Sequence, residues 1–449
     1  MAGGPRAGVR PMAEEFVVAG AGFAALLALM ALRCPIGLAM LVVGCAGYVH
    51  IVDATRLLAY LKTTPFFLFA NYTLSVIPLF ILMGALAERG GLARDLFVAA
   101  NALVGHRRGG LAMGVVGACA AFGAVCGSSV ATTATMGRAA LPELRRYGAL
   151  PGFATGTIAV GGVLGILVPP SVILVIYAIS TEQNIARLFM AALIPAVLAV
   201  GFYIATIAVL VRRRPELCPA GPRVPADERR AALRNVIPVM VIAVVVVGGI
   251  YSGTFTPTES AAVGCAATLL VGLARRALGP RQVLDALKAT AETTAMIFVI
   301  LLGAEVFNAF LALSQAPDLL AAWVSEQGFP PYGVLVAFLA VYILLGAVMD
   351  ELAMMLLTLP VFFPVVTALD FGLTTEETAI WFGILVLIVV EVGLITPPVG
   401  INLFVIQSMA PDIPMKDTYR GVMPFVLSDL LRVVVLVAFP SITLFVLRL

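Results

Sequence analysis

Two pairs of adjacent prolines, Pro169-Pro170 and Pro397-Pro398, constrain this chain most, because each interrupts a long apolar run. Proline lacks a backbone N–H and its ring clashes with the preceding helical turn, so a helix must break at each pair. The run around the second pair has about thirty nearly uncharged residues, enough to cross a bilayer. Broken backbone persists inside hydrocarbon only where protein or a polar cavity satisfies it. Two such breaks in corresponding places predict the ligand site of a membrane transporter.

The composition is typical of a polytopic membrane protein. Of 449 residues, 61% are hydrophobic and 12% charged, whereas soluble domains have about 25% charged residues. The net charge of +3 is too small to indicate a nucleic-acid partner, so membrane lipid is expected and nucleic acid is not. The two histidines, His50 and His106, exclude a histidine-rich metal centre, and the six cysteines lack metal-ligand spacing.

The order of the apolar runs predicts an all-α polytopic membrane protein built as an inverted repeat. Each unit has five membrane spans plus a re-entrant hairpin, and one of the five spans is a broken helix. The predicted bounds are an N-terminal tail at 1–15, a first repeat at 16–211 (hairpin about 111–146, broken helix 153–180), a cytoplasmic linker at 212–235, and a second repeat at 236–449 (hairpin about 332–369, broken helix 377–409). The sequence leaves open whether Met1 or Met12 is the true start.

Loop charges support the inverted arrangement. With the linker inside the cell, most Arg and Lys clusters also fall inside, and the loops at 314–331 and 370–377, which lack both residues, fall outside. Five spans and a hairpin precede the linker, so the second repeat enters the membrane from the opposite side. The first hairpin is then expected to open inward and the second outward.

Hairpin tips that face broken helices offer carbonyl and hydroxyl oxygens, which suit a hard cation such as sodium. The predicted sodium ligands are Gly127, Ser128, Ser129, Thr132, Val168, Asp350, Thr396, Pro397, Val399 and Gly400. The positive end of a half-helix after each proline pair suits a substrate carboxylate. The predicted substrate contacts are Ser128, Thr133, Ser171 and Asn402. The alternative is that these hydroxyls only bond back to their own helix; their clustering beside a matching break favours a site.

Carboxylates within apolar runs are costly and often functional. Asp350, at the predicted tip of the second hairpin, is the best candidate for charge at an ion site. For Glu305 and Glu391, a functional role and a role as buried structural acceptors both stay open. Two roles are open for Arg138, pairing with an acid or reaching the inner interface of the membrane, and we favour the second.

Four segments, CGSSVATTATMG, LGILVPPSVILVIYA, TPTESAAVG and ITPPVGINLFVIQ, resemble signature segments of the large membrane subunit of tripartite ATP-independent periplasmic (TRAP) transporters. The resemblance extends over essentially the whole chain. It implies a sodium symporter of the bacterial inner membrane with an elevator-type mechanism. It also implies two partners, a small four-helix membrane subunit expected as a separate chain and a periplasmic binding protein that delivers a small organic acid such as a dicarboxylate or sialic acid.

Three alternatives belong to other transport types or another class of protein. A self-sufficient sodium/dicarboxylate symporter of the same superfamily fits the signature segments less well. A polytopic membrane enzyme needs a nucleophile with a base or an aspartate pair, and neither histidine has an evident route to Ser128, while Asp350 has no obvious aspartate partner. We therefore expect no enzymatic activity. A channel is disfavoured because closed hairpins at both faces indicate alternating access.

Overall fold

A computed structural model of the chain describes residues 12–448, which form twenty α-helices. Their bounds are α1 (Met12–Ala31), α2 (Ile36–Ile51), α3 (Ala54–Phe69), α4 (Val76–Arg89), α5 (Leu92–Val104), α6 (Gly110–Cys126), α7 (Ser129–Arg146), α8 (Pro151–Leu167), α9 (Val172–Ser180), α10 (Ile185–Arg213), α11 (Ala226–Tyr251), α12 (Pro257–Ala274), α13 (Pro280–Leu313), α14 (Ala316–Glu326), α15 (Pro331–Gly346), α16 (Glu351–Ala368), α17 (Thr375–Leu394), α18 (Ile401–Met409), α19 (Met415–Ala438) and α20 (Pro440–Leu444). Most of the predicted tail, residues 1–11, lies outside the described residues.

Within residues 12–448, eight helices are long and apolar enough to cross a membrane. The count rises to nine if α8 and α9, which bend by 43° at their junction, form one broken span. The prediction of an all-α polytopic membrane protein is therefore confirmed. Its division into two inverted repeats with the bounds given above stays a prediction.

Two membrane helices begin with the same local motif. Thr256 caps α12 and Thr374 caps α17, and in each case the glutamate three residues later, Glu259 or Glu377, bonds back to the cap. This reciprocal capping box satisfies two backbone N–H groups that the first helical turn leaves free. The signature segment TPTESAAVG thus contains a helix start, which explains why Glu259 lies at the end of a span.

Helical structure extends into the predicted linker at 212–235 from both sides. Helix α10 continues to Arg213 and α11 begins at Ala226, because arginine and alanine are good helix formers. The remainder is fixed to the helices, since the Gly109 N–H donates to the Cys218 carbonyl at 3.0 Å. The centre of the chain is therefore a docked segment.

The chain divides into two compact units. The described residues of the smaller unit are 12–71, 295–335 and 355–372. Within it α2 packs closely on α13, because a Cβ at Gly44 would lie 2.7 Å from the Phe307 amide nitrogen. The Tyr60 hydroxyl in this unit donates to the Glu305 carboxyl at 3.4 Å. This distance between donor and acceptor is long for a hydrogen bond, so the Glu305 carboxyl has a weak polar partner.

The larger unit comprises residues 72–294, 336–354 and 373–448. Its core is formed by α8 and α17, which are buried on every face. The Tyr177 hydroxyl on α9 donates to the Ala379 carbonyl on α17 at 2.6 Å. Elements of the two broken helices, α9 and α17, therefore meet in this unit.

Candidate functional site

Helices α6 and α7 form a helical hairpin, called here the first hairpin, whose tip is Gly127 and Ser128; that it is re-entrant stays a prediction. Gly127 has a φ of 64°, the left-handed conformation that glycine adopts without steric cost. Ser128 is extended and its hydroxyl accepts from the Ala131 N–H at 3.4 Å, which caps α7. Glycine followed by serine therefore ends one helix and starts the next across two residues.

Glycines on α8 allow both arms of the first hairpin to approach its backbone. A Cβ at Gly123, on α6, would lie 2.9 Å from the Gly165 Cα, and one at Gly165 would lie 2.4 Å from the Thr132 hydroxyl. A Cβ at Gly162 would lie 1.7 Å from the Thr133 hydroxyl. The contacts run in the same direction along α6 and α8 but in opposite directions along α7 and α8, so α6 and α7 are antiparallel.

The first break comprises residues 168–171, between α8 and α9. Val168 is extended, the Pro169-Pro170 peptide bond is cis, and the Ser171 hydroxyl caps α9 by accepting from the Leu174 N–H at 3.4 Å. A Cβ at Gly127 would lie 3.0 Å from the Pro170 carbonyl oxygen. The tip of the first hairpin is therefore in contact with the first break.

The second break comprises residues 395–400, between α17 and α18. The Pro397-Pro398 peptide bond is cis and Gly400 has a φ of 61°. The Val399 and Gly400 N–H groups both donate to the Ala347 carbonyl, at 3.2 and 3.4 Å. Ala347 directly follows α15, so the connection at 347–350, called here the second tip, is bound to the second break.

The two tips also meet. The Ser129 hydroxyl lies beside the carboxyl group of Glu351, although the two form no hydrogen bond of ordinary geometry. Asp350 caps α16, because one carboxylate oxygen accepts from the Ala353 N–H at 3.0 Å. Within the larger unit, both tips and both breaks thus contribute polar groups to one region.

Several buried side-chain oxygens here have no hydrogen-bond partner among the described residues. They are Ser129 Oγ, Thr132 Oγ1, Thr133 Oγ1, Thr157 Oγ1 and Asn402 Oδ1. Asn402 uses its amide nitrogen, which donates to the Ala159 carbonyl of α8 at 3.5 Å. Since buried polar atoms nearly always have partners, such a group of acceptors is unusual and is chemically suited to a hard cation.

Other predicted site side chains have structural partners. The Ser128, Ser171 and Asp350 side chains cap helices, and the Thr396 hydroxyl donates to the Val392 carbonyl at 2.5 Å. Thr396 therefore follows the alternative in which a hydroxyl bonds back to its own helix. The oxygen of each capping or back-bonded group keeps acceptor capacity.

The breaks differ in exposure. Pro169 and Pro170 are buried, whereas Pro397 and Pro398 are exposed. Val168 and Val399 are half-buried, and as residues without polar side chains they have only backbone groups to offer. The predicted assignment of all these residues to sodium or substrate stays a prediction.

Two arginines of α7 pair with acids outside this helix. Arg138, expected at the inner interface, instead forms an ion pair with Glu88 of α4, because the packing of α4 near the hairpin places a carboxylate within reach. Arg145 donates to Asp412, between α18 and α19, at 2.9 Å, and this hydrogen bond lowers the pKa of Asp412. The second pair ties the first hairpin to the end of α18.

Sequence reasoning missed a buried charged network in the larger unit. Arg432 of α19 donates to Glu391 of α17 at 3.0 Å and lies 3.0 Å from Asp429. The Tyr203 hydroxyl of α10 donates to Asp429 at 2.7 Å, and all four side chains are fully buried. The spacing of Asp429 and Arg432, three positions apart in an apolar helix, was the available signal. Of the two roles left open for Glu391, the ion pair favours that of a buried structural acceptor.

No group of three or more His, Cys, Asp or Glu side chains that could hold a metal ion occurs in residues 12–448. A cation bound here would depend on hydroxyl, amide and backbone oxygens and on the Asp350 carboxylate.

Comparison with solved structures supports a transporter fold. The chain resembles the YdaH transporter of Alcanivorax borkumensis with a TM-score of 0.59 at 18% identity, over 87% of this chain and 90% of that one. At this identity the likeness concerns the fold alone.

Sequence comparisons identify the family. The chain is 38% identical to the C4-dicarboxylate TRAP transporter large permease protein DctM of Pseudomonas aeruginosa and 32% identical to that of Rhodobacter capsulatus, in both cases over 83% of this chain and 86% of the relative. It is 30% identical to the sialic acid TRAP transporter large permease protein SiaM of Vibrio cholerae, with the same coverage. The family model described as "Tripartite ATP-independent periplasmic transporter, DctM component" matches residues 23–442. The chain therefore belongs to the DctM family of TRAP transporter large permeases.

Proposed function

We propose that this chain is the large membrane subunit of a sodium-coupled TRAP transporter that imports a small organic acid across the bacterial inner membrane. The observation that carries the proposal is the group of buried, unpartnered oxygens at Ser129, Thr132, Thr133 and Asn402, where the first hairpin meets the broken helices. Leaving such atoms without a partner is costly. A bound cation removes that cost, which makes sodium binding favourable.

Sodium binding also explains coupling between ion and substrate. The proposed ligands belong to the first tip, the second tip and both breaks, which are separate in sequence. In the larger unit each tip contacts the break of its own half. A cation that draws these elements together orders the positions where α9 and α18 begin. Because the two helix starts are the proposed anion site, sodium favours the state that binds substrate.

The substrate is proposed to be a small carboxylate. Relatives of the chain are named for C4-dicarboxylates and for sialic acid. Backbone N–H groups at a helix start favour an anion, and Ser171 caps α9 while Asn402 lies in the first turn of α18. These two residues, with Ser128 and Thr133, are the proposed substrate contacts.

The proposed assembly contains a small four-helix membrane subunit and a periplasmic binding protein that delivers the acid. The larger unit, which contains both tips and both breaks, is proposed to be the part that moves in an elevator-type cycle. The names of the relatives, as large permeases of TRAP transporters, support this assembly.

The test is uptake of labelled succinate and sialic acid into proteoliposomes that contain the chain, its small subunit and its binding protein. We expect uptake only with both an inward sodium gradient and the binding protein. Uptake without the binding protein would identify a self-sufficient symporter, and uptake independent of sodium would contradict the ion site.

Matched variants locate the ion site. Thr132→Val removes an unpartnered hydroxyl, whereas Thr268→Val removes a buried hydroxyl that donates to the Gly264 carbonyl of its own helix at 2.7 Å. Both changes replace a hydroxyl by a methyl group of similar size. We expect the half-saturating sodium concentration to rise in T132V and to stay near the wild-type value in T268V.

A further inference from the structure

Tyr419 binds the second break from outside the hairpins. Its hydroxyl, in the second turn of α19, donates to the Pro398 carbonyl at 2.8 Å. Tyr419 is half-buried and Pro398 is exposed. A side chain of α19 therefore holds a backbone carbonyl of the second break.

The peptide unit that Tyr419 contacts is held at both ends. The Pro398 carbonyl accepts from Tyr419, and the N–H of the same peptide unit, that of Val399, donates to the Ala347 carbonyl at 3.2 Å. A peptide unit is planar and rigid, so fixing its oxygen and its hydrogen fixes its orientation. The adjacent Pro397 and Val399 carbonyls connect to this unit through φ and ψ rotations only, so its orientation restricts their directions.

The first break is held differently. Its prolines are buried, and the Pro170 carbonyl is covered by the tip of the first hairpin at Gly127. Backbone packing therefore fixes the first break. The prolines of the second break are exposed and are not packed in this way. Loss of the Tyr419 hydroxyl is therefore expected to affect the second break and not the first.

We propose that Tyr419 is a positioning residue for the cation site at the second break. By holding the Pro398 carbonyl toward α19, it fixes the peptide unit whose Val399 N–H bonds to the second tip. This restricts the directions available to the neighbouring Pro397 and Val399 carbonyls, which are proposed cation ligands. This inference rests on the proposed sodium-coupled function. Tyr419 itself contacts neither ion nor substrate in the proposal.

Tyr419→Phe removes only the hydroxyl group, and Tyr251→Phe is its matched control. The Tyr251 hydroxyl donates to the Phe189 carbonyl at 2.8 Å, in the same unit but on helices that do not contribute to the breaks. Each variant loses one phenol-to-carbonyl hydrogen bond of equal length. A merely structural effect should therefore be similar in both.

The first measurement is the unfolding midpoint of the full-length chain in detergent, in sodium chloride and in choline chloride at equal ionic strength. We expect similar midpoints for both variants in choline chloride. In Y419F the sodium concentration that gives half of the stabilisation should rise about five-fold, the change expected when one ordinary hydrogen bond no longer holds the site. In Y251F it should equal the wild-type value.

The second measurement is the sodium dependence of uptake in the reconstituted transporter, using the acid that the wild type takes up. The half-saturating sodium concentration should rise by the same factor in Y419F, with the KM for the acid at saturating sodium unchanged. If the wild type responds to sodium but Y419F and Y251F have the same sodium dependence, the role of Tyr419 is overturned. The proposed function is then unaffected. A wild type without a sodium response in either assay would overturn the proposed function and this inference together.

Discussion

Gly346 of α15 and Gly393 of α17 bring two helix backbones into direct contact, because a Cβ on Gly393 would lie 2.6 Å from the Gly346 Cα. Gly123 and Gly165 make the corresponding contact between α6 and α8, where a Cβ on Gly123 would lie 2.9 Å from the Gly165 Cα. Gly165 and Gly393 each lie four positions before a proline pair. The two halves of the chain thus use the same small-residue contact to place a tip beside a break.

Gly393→Ala should separate α15 from α17. The added Cβ meets backbone atoms, which cannot rotate away, so the change should destabilise the larger unit by about 1–3 kcal/mol. It should also abolish most uptake. Gly248→Ala on α11 is the control, because a Cβ there meets nothing within 4 Å. Unfolding midpoints in detergent and uptake rates test both. Equal midpoints for G393A and the wild type would contradict the close contact.

Arg432→Met should be among the most destabilising changes in the chain. It leaves Glu391 and Asp429 fully buried without their cation, and breaking a buried ion pair costs about 3–5 kcal/mol. Adding Glu391→Gln and Asp429→Asn to R432M should recover part of this loss, since no unpaired charge then remains. Chemical denaturation of the purified variants measures both effects. No recovery in the triple variant would indicate that packing, and not charge, dominates.

Asp350→Asn separates two roles of Asp350. Asparagine caps helices as well as aspartate does, so D350N should keep the stability of α16, whereas Asp350→Ala should lose about 0.5–2 kcal/mol. If the carboxylate contributes charge to the ion site, D350N should raise the half-saturating sodium concentration for uptake. Wild-type sodium dependence in D350N would restrict Asp350 to capping.

Cys218 should react slowly with maleimides at neutral pH. The docked linker buries its side chain, and this burial raises the pKa of the Cys218 thiol. The reactive thiolate is therefore scarce at neutral pH, and labelling should accelerate as the pH rises toward the raised pKa. The same chain denatured in detergent gives the reference rate. Equal rates before and after denaturation would show that the segment between α10 and α11 is not docked.

The sequence by itself determined the class of structure and the family. Apolar runs of span length require helices in a bilayer, and proline pairs end helices wherever they occur because they lack N–H groups. Both rules act locally, so they can be applied to residues one segment at a time. The four signature segments were sufficient to indicate the family that the comparisons then showed.

Only the tertiary structure decided which polar groups have partners. The sequence marks Thr132 and Thr396 alike as predicted ligands, yet the first hydroxyl is unpartnered and the second bonds back to Val392. Arg432 and Glu391 lie 41 positions apart and pair only because α17 packs against α19. Hydrogen bonds and ion pairs depend on distances of a few ångströms between helices, which packing sets and local sequence does not.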